Sequence, residues 1–139
     1  PEKENKAIAR RYMEEIWNRG DLDTAQAFVA PTVVFQGPIR MVEGLAAFVQ
    51  YVRATRALFP DLHFKVEDLI AEDSQVAICW TMTGRHENTF MGIAPTGTRF
   101  AVRGVSTLRL EGSAITRIAL YWDRLGMVEQ LGASLNVGG

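Results

Sequence analysis

The hydrophobic period of this chain changes once, and that change decides the fold class. Before Phe59-Pro60-Asp61, apolar residues recur at helical spacing. After it they fall in four long β-rich segments, 62–71, 76–86, 98–110 and 114–123. Such segments place successive side chains on opposite faces of a sheet. The breaks Glu72-Asp73-Ser74 and Glu111-Gly112-Ser113 have hairpin length, so an antiparallel meander is expected. Only GIAPTG, residues 92–97, is a longer loop.

The first part carries three helical signals. Ile8, Ala9, Tyr12, Met13, Ile16 and Trp17 line one face, with Arg10, Arg11, Glu14 and Glu15 opposite, and Gly20 suits the end of this helix. Asp21 can cap a short second helix carrying Leu22, Ala25, Phe28 and Val29, which stops at Pro31. A brief strand over 33–36 precedes a third helix over 43–58, closed by Pro60. A short helix or turn is expected at 125–131, and fraying at 136–139. The expectation is one α+β domain over 1–139. Three N-terminal helices lie over a strongly curved, mostly antiparallel sheet and enclose a cone-shaped cavity.

Composition narrows the function. Fifteen basic against sixteen acidic residues give a net charge of −1, which argues against nucleic-acid binding through a basic face. No apolar run approaches the roughly 20 residues of a membrane helix, and no secretory leader is evident. Cys79 is the only cysteine, so an intrachain disulfide is excluded and a buried thiol in a cytoplasmic protein is expected. Two histidines far from that cysteine offer no metal-ligand spacing. GIAPTG lacks the lysine and the strand-to-helix context of a phosphate loop. Neither metal nor cofactor is expected.

The residues Phe59-Pro60-Asp61, Gly84-Arg85-His86, Ala94-Pro95-Thr96-Gly97, and Trp122-Asp123 with Gln130-Leu131-Gly132 stand in a characteristic order. From about Asp21 to Gly132 the chain resembles the SnoaL-like polyketide cyclases of the NTF2-like superfamily. Two departures are Arg85, where the family has a small threonine, and Ala94, where it has a proline. The resemblance implies an NTF2-like cone and cofactor-independent acid/base catalysis of an intramolecular aldol-type ring closure. The substrate class it implies is a hydrophobic, carbonyl-rich small molecule.

On that resemblance Asp123 is the candidate general acid/base and His86 its assistant. An Asp123 lining an apolar cavity is expected to have a raised pKa; alternatively it caps the helix that follows. His86 either polarises a substrate carbonyl or simply fastens a loop. Tyr12, Trp17, Phe48, Tyr51, Trp80 and Tyr121 are candidate cavity walls, with Met82 on the His86 face of its strand. Phe90 and Met91 are candidates for the mouth. Taken singly, each aromatic is ordinary core by default. Two further functions stay open. One is limonene-epoxide-hydrolase-like chemistry by Asp123, Asp68 and Arg103 or Arg117. The other is a ligand-binding module without turnover. Apolar residues on both faces of the last strand also imply a homodimer packed sheet against sheet.

Overall fold

The computed structural model describes residues 1–133. The tail expected to fray, 136–139, lies outside the described residues. Helix α1 (Glu2–Arg11) continues into a π-helical run, Tyr12–Asn18. The widened turn sets residues five apart above one another, and the Trp17 indole N–H donates to the Tyr12 hydroxyl at 2.9 Å. Gly20 ends this unit in the left-handed region, φ +66°. Arg56 donates to the Trp17 and Asn18 carbonyls that the helix end leaves open. The expected second helix is a 3₁₀ segment, Leu22–Ala27. Val29, expected on that helix, instead opens β1 (Val29–Gln36).

After a tight turn comes β2 (Met41–Glu43), which is too short to have registered as a periodic pattern. Helix α2 (Leu45–Leu58) follows the left-handed Gly44, two residues later than the pattern suggested. Then come β3 (His63–Glu72), β4 (Gln75–Arg85), β5 (Arg99–Glu111), β6 (Ala114–Trp122) and α3 (Arg124–Gln130). They form one curved, unclosed sheet in the order β2-β1-β6-β5-β4-β3. Its pairs are antiparallel except β1 with β6. Register shifts at Val66/Asp68 on β3 and Arg109/Leu110 on β5 provide local bends.

One face of this sheet meets the helices. Its buried side chains include Ile78, Trp80 and Met82 on β4, Val102 and Leu108 on β5, and Ile118 on β6. The other face carries Arg99, Arg103, Arg109 and Arg117, all exposed. Cys79 also lies there, half-buried rather than buried as expected. A side chain at Gly104 is impossible without displacement: its Cβ would fall 2.3 Å from the Trp80 ring and 2.6 Å from the Tyr121 carbonyl. That missing side chain lets the Trp80 indole lie across β5 and reach the Ser106 hydroxyl at 3.0 Å.

Candidate functional site

Between α2, the π-helical turn and the sheet lies a cavity of about 80 Å³. Trp17, Tyr51, Trp80, Met82 and Phe90 line it, five of the nine wall and mouth candidates. Leu120 and Trp122 complete the β6 side. The walls are held edge to face: Phe64 and Trp80 centroids are 4.8 Å apart at 84°, Trp17 and Tyr51 6.3 Å apart at 84°. Outside the cavity is a groove of about 340 Å³ that shares Tyr51, Phe90 and Trp122 with it. Gly37 to Arg40, Met91 and Arg124 form the rest of this mouth.

The remaining candidates lie elsewhere. Tyr12 and Phe48 are wholly buried core and line neither space. Tyr121 is 60% exposed on the outer face, paired with Val105. The expectation for Asp123 is corrected in the same way. β6 presents Ile118, Leu120 and Trp122 to the helices, so the cavity takes Trp122 and not Asp123. Asp123 is exposed and its carboxylate accepts the Gly126 N–H at 2.8 Å, the helix-cap alternative. It lines a separate hollow with Glu67, Cys79, Arg103 and Tyr121. No carboxylate lines the cavity among the described residues.

His86 is fully buried, and its geometry is that of a loop fastener. Its Nδ1 accepts the Thr96 N–H at 3.2 Å and lies 2.9 Å from the Thr96 hydroxyl, which itself accepts the Thr98 N–H. The Thr96 hydroxyl therefore donates to Nδ1, and the ring proton sits on Nε2. That nitrogen is buried without a partner among the described residues. No hydrogen bond joins His86 to Asp123 among the described residues. The fastened loop folds back at Met91-Gly92, both at positive φ (52° and 75°), with Phe90 and Ile93 exchanging backbone hydrogen bonds. Phe90 and Met91 are thereby presented to cavity and mouth.

The epoxide-hydrolase arrangement does not assemble. Asp68 accepts its own neighbour's N–H, from Leu69 at 2.9 Å. No ion pair links Asp68 or Asp123 to Arg103 or Arg117 among the described residues.

Tyr51 is the ionisable group common to cavity and mouth wall. Burial raises the pKa of its phenol, and the Thr55 side chain and then the Arg40 charge work against that rise. Neutral at physiological pH, it is a hydrogen-bond donor next to an apolar space. Sequence reasoning missed Trp122 and Arg40. Trp122 lies opposite Gly104, on the Trp80 face, only because the register shifts at Arg109/Leu110, and counting through the 111–113 turn does not reveal that shift. Arg40 gave no periodic signal.

Solved structures resemble this fold. AclR from Streptomyces galilaeus, described as a candidate hydroxylase, is 28% identical; the match covers 99% of this chain and 90% of AclR, with a TM-score of 0.83. IdmH from Streptomyces antibioticus, described as a candidate polyketide cyclase, is 25% identical, covering 93% and 99%, with a TM-score of 0.82. A Catenulispora acidiphila protein with a ketosteroid isomerase-like fold is 19% identical, covering 91% and 92%, with a TM-score of 0.76; it speaks to the fold alone. No curated protein sequence matches the chain closely enough to count as a relative. The family model for SnoaL-like polyketide cyclase matches residues 7–131, beginning well before Asp21, and the chain belongs to that family.

Proposed function

We propose that the chain is an enzyme of polyketide-cyclase type that closes a ring on a hydrophobic, carbonyl-rich small molecule, without metal or cofactor. The observation that carries this is the aromatic cavity, with the half-buried Tyr51 phenol on the boundary between cavity and mouth. Flat walls at Tyr51, Phe90 and Trp122, shared by cavity and groove, favour folding of an extended substrate against them, which brings its reacting carbons together. An aldol closure then moves one proton from a carbon between two carbonyls to the oxygen that becomes a hydroxyl. Tyr51 gives its proton to that oxygen as the carbon–carbon bond forms. The carbon between two carbonyls is acidic enough to lose its proton to solvent at the mouth beforehand and attacks as the enolate; Tyr51 is then reprotonated from the same solvent, so the group ends as it began.

Anthraquinone methyl esters with an open β-keto side chain are suitable test substrates. Wild type is expected to close them, and Tyr51→Phe to lower kcat about a hundredfold with little change in KM. Asp123→Ser keeps a capping oxygen and is expected to keep most of the turnover. Loss of activity in folded Asp123→Ser, with Tyr51→Phe unaffected, would move the proton transfer to the aspartate and end the tyrosine assignment. The cavity's small volume, about 80 Å³, favours a second reading, a binding module without turnover. Saturable binding of these esters with no product over days would establish it.

A further inference from the structure

The mouth groove has a charge character that the cavity lacks. Two cations line it, Arg40 from the β1–β2 turn and Arg124 at the start of α3, and no carboxylate does. Neither guanidinium is ion-paired among the described residues. Around them the surface is apolar to an extent unusual for solvent: Ile39 is 72% exposed and Met91 38%. Met91 is also held at φ +52°, a conformation that costs a non-glycine residue energy and persists only where the surroundings enforce it. A planar guanidinium matches the two oxygens of a carboxylate, and partial exclusion of water by Ile39, Met91 and Trp122 strengthens such a pair.

We infer that this groove is a carboxylate-binding subsite: the ligand is a flat aromatic acid whose carboxylate pairs with Arg40 and Arg124 while its ring system lies along the groove against Tyr51 and Trp122. The inference rests on the reading of the cavity as a small-molecule site and adds the ligand's charge. It sets orientation as well as affinity, because only the apolar end can lie against Tyr51 and Trp122. A neutral aromatic of the same shape loses the ion pair and keeps the stacking.

The probes are 2-naphthoate and its neutral isostere 2-naphthamide, titrated by tryptophan fluorescence into wild type, Arg40→Gln and Arg124→Gln. Arg40 is exposed and Arg124 half-buried, and unchanged circular dichroism and melting temperature confirm intact variants. Wild type is expected to bind the acid at least tenfold more tightly than the amide. That preference falls to about twofold or less in the double variant and shrinks in wild type as salt rises. Equal affinity for acid and amide overturns the carboxylate subsite and leaves the cavity reading standing. An acid preference that survives the double variant overturns it too, since the charge would then be read elsewhere. Binding of neither probe overturns both.

Discussion

Tyr12 shows what a single hydroxyl does in this core. It is fully buried and accepts the Trp17 indole N–H, and through Trp17 it sets one wall of the cavity. Tyr12→Phe leaves that N–H without a partner and is expected to cost about 1–3 kcal/mol in urea unfolding. Burial raises the Tyr12 pKa, with the Trp17 hydrogen bond acting in the opposite direction. The folded protein therefore holds this proton more tightly than the unfolded chain does. Its contribution is complete below the ordinary tyrosine value of 10.0 and declines as pH climbs from there toward the folded value. Melting temperatures from pH 8 to 11 should fall less steeply in Tyr12→Phe than in wild type. Asp123 gives a contrasting case at the surface. Asp123→Ala removes the cap from α3 and is expected to cost about 0.5–2 kcal/mol, whereas Asp123→Ser restores most of it. The sequence carried both possibilities for this residue, because an aspartate ahead of a helix and an aspartate at a strand end have the same local pattern. Only the pairing of β6 with β5, which turns Trp122 inward, separates them.

Elements were legible in proportion to their length and period. The four long strands and the first and third helices repeat their apolar pattern often enough to be read. β2 has three residues and repeats nothing. The π-helical run at Tyr12–Asn18 keeps the same apolar face as an α-helix, so its extra width depends on tertiary partners such as Tyr12–Trp17 and Arg56. Gly104 reads from sequence as a weak strand residue, yet its lack of a Cβ is what admits Trp80. Gly104→Ala is expected to destabilise by about 1–3 kcal/mol or more, since rigid indole and backbone atoms are what it meets. A wild-type melting temperature in this variant would show that the sheet yields there. The loop after β4 depends on a different contact. His86→Ala removes the acceptor for the Thr96 N–H, so amide exchange at Thr96 is expected to accelerate at least tenfold while β4 and β5 stay protected.

At the scale of the whole molecule, the outer face of the sheet is the unsatisfied surface. Half-buried Cys79, Val105, Thr107 and Ala119 form a smooth strip beside Tyr121, with Arg103, Arg109 and Arg117 spaced along it. Beside Tyr121 is the hollow of about 550 Å³ that Asp123 and Glu67 also line. A twofold axis through this strip would set it against its own copy, so that exposed arginines meet carboxylates of the other copy and the aromatic ring leaves water. A lasting contact of this kind must bury about 1,200–2,000 Å² in total, which the strands from β3 to β6 have the length to supply. The expected outcome is a dimer by light scattering at micromolar concentration, converted to monomer by Tyr121→Glu without loss of fold. The cavity and its mouth belong to the opposite face, between helices and sheet, so the monomeric variant should bind 2-naphthamide as wild type does. A wild-type protein that scatters as a monomer would end the sheet-to-sheet proposal. A dimer indifferent to Tyr121→Glu would place the interface on another surface.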